Sequence, residues 1–171
     1  MRNDTILVPV DYSGCAYEVV AAASDIAGRL GADVVMLCVV DLPANLSSDA
    51  IVHPHGTDEA VRAGEYLDAD ARAHLEPLTQ VFLDAGCDVR IALKHGSPAQ
   101  AILDTAAQVH ASMIIMGTHG RTGVRRLVEG SVAEAVIRKA DCPVTTIRTQ
   151  APQEHPGMSD AQLQALDEAL G

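Results

Sequence analysis

The chain has 171 residues, 48% of them hydrophobic, enough for one domain with a continuous core. Its formal net charge of -11, from 12 Lys and Arg against 23 Asp and Glu, works against binding a polyphosphate backbone, which needs clustered cations. Only Phe82, Tyr12, Tyr17 and Tyr66 are aromatic, so a stacking platform for single-stranded nucleic acid is also missing.

At the N-terminus, MRNDTILVPVDYSG carries Asp4 and an apolar run of about six residues, too short for a signal peptide or a membrane span. A cytoplasmic location without membrane contact is the expectation. The first strand is predicted at Thr5–Val10, and Val19, Val20, Ala23, Ile26, Ala27 and Leu30 then recur at helical spacing, with Gly31 as the stop. A second strand follows at Asp33–Val40. The stretch from Asp41 to Asp58 has no periodicity, and an irregular segment of that length suits a lid or a dimer-facing loop.

A second helix is marked by Leu67, Ala71, Leu75, Leu78 and Phe82, ending before Gly86; Pro77 removes an internal hydrogen bond and is expected to kink or split it. After a third strand at Asp88–Leu93, Ser97 and Pro98 make an N-cap and first turn for a helix whose stripe is Ile102, Ala106 and Val109. The fourth strand is Ser112–Gly117. Val128, Val132, Ala135, Val136 and Ala140 supply the last helix, and Val144–Ile147 the fifth strand.

The strands are nearly continuous apolar runs rather than alternating ones, so both sheet faces should be covered. Regular alternation with helices predicts an α/β fold: an open, doubly wound five-stranded parallel sheet with helices on both faces. Residues 1–148 form that domain. Residues 149–171 read as a linker, TQAPQEHPGM, and a short helix with a Ser159–Gln162 capping box ahead of Leu163, Leu166 and Leu170. So short a helix needs a surface to dock on, and the partner subunit of a dimer is one candidate.

The chemistry concentrates after the fourth strand, where Gly117-Thr-His-Gly120 is followed nine residues later by Gly130-Ser131 at the start of a helix. Glycines let backbone amides approach an anion, and the first amides of a helix lie in a positive dipole field. Arg121, Arg125 and Arg126 add cations. A plain loop with glycines for turns has the same appearance. No GxxxxGK[ST] is present and no GxGxxG follows the first strand, which excludes a P-loop and disfavours a dinucleotide fold.

In an open parallel sheet the ligand crevice lies where strand order reverses. If strands one and four are neighbours there, Asp11 faces Gly117 and becomes a candidate for ribose hydroxyls or the base edge, a role compatible with capping the first helix.

Other groups read more simply. Cys15, Cys38, Cys87 and Cys142 show no CxxC spacing and are expected to be reduced packing residues; Cys15 opens a helix, where a thiol is acidified, but no His/Asn pattern accompanies it. His53 and His55 lack the spacing of a metal site. His119 is either a donor to an anion or an ordinary loop residue. Glu59, Glu65, Asp68 and Asp70 read as a solvated helix face.

Pro9-Val10-Asp11-Tyr12-Ser13, Gly96-Ser97-Pro98 and GTHGRTGVRRLVEGSVAEAVIRKADCPV together resemble the universal stress protein family over roughly residues 3 to 148. The glycine pattern is similar to that of members that bind ATP, and it is intact at Gly117, Gly120, Gly130 and Ser131. The resemblance implies strand order 3-2-1-4-5, a homodimer built through the last strand, and ATP, with or without Mg2+, in the crevice. Carried over by position, Asp11 meets the ribose, Val39 and Met116 bracket the adenine, and Ser131 and Val132 reach the phosphates with their neighbours; Pro9, Val10, Gly117, Gly120, Arg121 and Gly130 complete the expected binding set.

An ATP-binding stress or signalling regulator is therefore expected, with slow hydrolysis at most, because no motif positions a general base. A dimeric interaction module with an empty crevice is the alternative. For the dimer the pairing segment is Val144–Arg148, since an exposed Val/Thr/Ile edge strand is otherwise an aggregation hazard.

Overall fold

A computed structural model describes residues 4–11, 15–43, 46–54, 60–118 and 132–149. In chain order the elements are β1 (Thr5–Val10), α1 (Ala16–Leu30), β2 (Asp33–Val40), β3 (Ile51–Val52), β4 (Val61–Arg62), α2 (Ala63–Asp84), β5 (Val89–His95), α3 (Pro98–Val109), β6 (Met113–Gly117), α4 (Val132–Lys139) and β7 (Val144–Ile147).

Five of the strands form one parallel sheet in the order β5-β2-β1-β6-β7. Counted among those five alone, this is the expected order 3-2-1-4-5. Side chains alternate across the strands, so each central strand feeds two cores. Ile6, Val8, Val34, Met36, Cys38 and Ile115 pack with Val19, Val20 and Ala23 of α1 and Leu75 and Phe82 of α2. On the other face, Leu7, Val35, Leu37, Ile114 and Met116 pack with Ile102 and Ala106 of α3 and Ala133 and Val136 of α4.

The irregular stretch after β2 contains secondary structure of its own. Ile51–Val52 and Val61–Arg62 pair as a small antiparallel hairpin, with Leu46, Val52 and Ala63 buried in a satellite cluster beneath it. The carbonyls of Ala50 and Ser48 accept from the amides of Ala63 (2.8 Å) and Gly64 (3.0 Å), which satisfies two N-terminal donors of α2. A Cβ at Gly64 would lie 3.2 Å from Ser48, so only glycine fits that approach without a shift.

Pro77 does not split α2, which runs unbroken from Ala63 to Asp84. Ala71, Leu75 and Phe82 anchor both halves of the helix to the sheet, while Pro77 and Ala73, whose carbonyl loses its usual partner, both lie on the exposed side.

Helix ends follow backbone logic. Gly31 closes α1 at φ 62°, with the Ala32 amide donating to the Ala27 carbonyl at 3.0 Å. His110 does the same for α3 at φ 52°, and it is the one non-glycine residue with positive φ among the described residues. Replacing His110 with glycine removes the Cβ strain and should stabilise the domain by about 0.5–1 kcal/mol. Urea denaturation reads this as a higher midpoint; an unchanged or lower one would refute it.

Candidate functional site

Strand order reverses between β1 and β6: the chain first moves from β1 to β2 under α1, then returns from β5 past β1 to β6 under α3. The carboxyl ends of these two neighbours frame the crevice that such a reversal leaves.

Pro9 shapes its floor. The Asp33 amide donates to the Asp4 carbonyl and the Ser112 amide to the Thr5 carbonyl, both at 2.8 Å, so even-numbered peptide groups of β1 face β2 and odd-numbered ones face β6. Proline is normally kept out of central strands because it donates nothing to the ladder. Here the missing donor faces β6. Registered pairing on that side stops at Leu7 with Ile114, whereas on the β2 side it continues to Val10 with Cys38.

Around this gap the expected residues take definite places. Asp11, half-buried, leaves the end of β1, and Gly117, also half-buried, ends β6. The next amide, of Thr118, donates to the Ile147 carbonyl at 3.0 Å, which ties the start of the glycine segment to β7. Val39 is half-buried on the α3 face of β2, by alternation with Val35 and Leu37. Pro9 lies on that face too, and Met116 is buried in the core beneath α3 and α4.

Val10 differs: its side chain enters the core under α1, leaving its backbone as the part that can meet a ligand. Val132 is exposed at the first position of α4. Gly120, Arg121, Gly130 and Ser131, with His119, Arg125 and Arg126, lie outside the described residues, as do His55, Glu59 and the tail from residue 150.

Of the helix carboxylates, Glu65 is exposed as expected. Asp68 instead meets His95, with Nε2 and Oδ1 3.0 Å apart, and so ties α2 to the end of β5. No spacing rule links residues so far apart in sequence. Only the return of β5 beside α2 brings them together.

Among the described residues no group of His, Cys, Asp and Glu is placed to hold a metal ion. No described helix is long and apolar enough to cross a membrane. The four cysteines form no disulfide. Burial, reinforced by Asp33 and Asp88, raises the pKa of Cys87, and burial followed by Asp141 raises that of Cys142, so both stay neutral thiols at neutral pH rather than nucleophiles. Cys15 takes the N-cap position of α1 and is buried there.

The chain is similar to known proteins over this whole region. A universal stress protein of Methanocaldococcus jannaschii is 32% identical over 143 residues, covering 84% of this chain and 81% of the relative. Among solved structures, the universal stress protein UspA from Lactobacillus plantarum is 29% identical with a TM-score of 0.62, covering 86% of this chain and 99% of that one. A universal stress protein from Archaeoglobus fulgidus, solved in complex with dAMP, is 25% identical with a TM-score of 0.58, covering 88% of this chain and 100% of that one. The family described as the universal stress protein family matches residues 2–148, and the chain belongs to it.

Proposed function

We propose that the protein is a cytoplasmic regulator that binds an adenine nucleotide, ATP with or without Mg2+, in the crevice between β1 and β6. The observation that carries this reading is the adjacency of those two strands at the reversal point, which brings Asp11 and Gly117 to one opening. The Archaeoglobus fulgidus relative solved with dAMP supports it.

In this reading Asp11 accepts from the ribose hydroxyls, Val39 and Met116 flank the base, and Pro9 and Val10 contribute backbone. The phosphates lie against Gly117, Gly120, Arg121, Gly130, Ser131 and Val132. Mg2+ enters as the counterion of those phosphates. No general base is assigned, so the output is a nucleotide-dependent shift in stability or partner affinity rather than turnover. The assembled form is a homodimer paired through Val144–Arg148.

Calorimetric titration of ATP into the purified protein tests the site, with Gly117→Val as its partner experiment. A valine side chain there crowds the backbone approach and should weaken binding at least tenfold, about 1.4 kcal/mol. Absence of ATP binding at millimolar nucleotide would overturn the proposal.

A further inference from the structure

Val39 and Lys94 are registered neighbours on β2 and β5. One step beyond the last registered pair of β1 and β2, Val10 with Cys38, Asp11 stands across from Val39. Within β5, Val89, Ile91 and Leu93 pack toward the core under α1 and α2, and Ala92 toward the core under α3 and α4. Alternation therefore puts Lys94 on the same face as Val39.

The row Asp11, Val39, Lys94 crosses two strand spacings, about 10 Å in all, away from Gly117 at the end of β6. Lys94 is half-buried, and its ammonium has no hydrogen bond or ion pair among the described residues. An ammonium without a partner at the end of such a row is a donor open to an acceptor on a ligand.

Resting on the nucleotide reading above, we infer that Lys94 reads the edge of the base and admits 6-oxopurine nucleotides to the site alongside adenine nucleotides. A base flanked by Met116 on the β6 side and Val39 on the β2 side, with its ribose at Asp11, turns its far edge toward β5 and Lys94. An ammonium only donates. Beside a 6-amino group, itself a donor, adenine leaves the ammonium only a neighbouring ring nitrogen, whereas the 6-oxo group of hypoxanthine or guanine is a further acceptor, the pairing by which lysine reads guanine O6 and N7 in nucleic acids.

ATP and ITP differ only at the 6-position and at N1, so a change in their affinity ratio on substitution of Lys94 reports on this edge of the base. Titration of each into the wild type, Lys94→Met and Lys94→Arg is the test. Both nucleotides should bind the wild type; Lys94→Met should lose about tenfold in ITP affinity with ATP little changed, and Lys94→Arg should keep ITP binding. Wild-type binding of ATP with exclusion of ITP overturns the inference alone, as does an ATP-to-ITP ratio unmoved by Lys94→Met. Failure of both nucleotides to bind overturns the nucleotide reading with it.

Discussion

Phe82→Ala is expected to remove about 3–5 kcal/mol of folding stability, the usual range for truncating a fully buried aromatic side chain. Phe82 is the one phenylalanine of the chain, has 0% exposure, and fills the space between α2 and the sheet in the core it shares with α1. Its backbone also ends α2, since its carbonyl accepts from the amides of Ala85 (3.1 Å) and Cys87 (3.0 Å), so the cavity would open beside a fixed turn that cannot readily collapse into it. With a urea slope of about 2 kcal/mol/M, the midpoint should fall by roughly 1.5–2.5 M. Leu83, next in sequence but 49% exposed, is the internal control: Leu83→Ala should change stability by no more than about 0.5 kcal/mol. A loss below about 1 kcal/mol at Phe82 would mean that the α2 core repacks freely.

Thr146→Pro should convert the proposed dimer to monomers while leaving each subunit folded. The reason is parity along β7. The carbonyls of Pro143 and Ile147 accept from Ile114 and Thr118, so the odd-numbered peptide groups of this strand face β6 and the even-numbered ones face outward. Thr146 is exposed, and its amide belongs to the outward set, on the free edge of the sheet order. Proline there withdraws a donor from the partner strand and none from β6. Thr145→Pro, one residue away, instead removes a donor facing β6 and should destabilise the subunit itself. Sedimentation velocity reads the first effect and thermal unfolding the second. A Thr146→Pro protein that remains dimeric would show that the subunits meet elsewhere.

The main architecture was legible because apolar run length, strand-helix alternation and helix stops all pointed the same way. Val, Ile and Leu in unbroken runs marked strands buried on both faces, and Gly31 and Gly86 marked real chain reversals, with φ of 62° and 77°. Less legible was whatever depends on tertiary support. The hairpin of Ile51–Val52 with Val61–Arg62 is only two residues per strand, too short for any periodicity to announce it. Continuity of α2 through Pro77 comes from packing on both sides of the proline, which local propensity does not contain. Asp68 read as a solvated carboxylate because nothing in its own neighbourhood names His95. In the site, Asp11 and Gly117 could be paired in advance only by supposing that two strands distant in sequence lie side by side. Lys94 gave no signal, since its relation to Val39 exists only in the register of β5 on β2.

Pro9 has a mechanical consequence. The sheet is laced along the whole length of β1 on one side, six registered pairs with β2, and for only two pairs on the other, with β6. A sheet laced unevenly has a seam, and the seam here runs up to the mouth of the crevice. Along that line β6 is held to the rest of the sheet less by ladder bonds than by the two cores, in which Ile114, Ile115 and Met116 pack beside residues of β1 and β2.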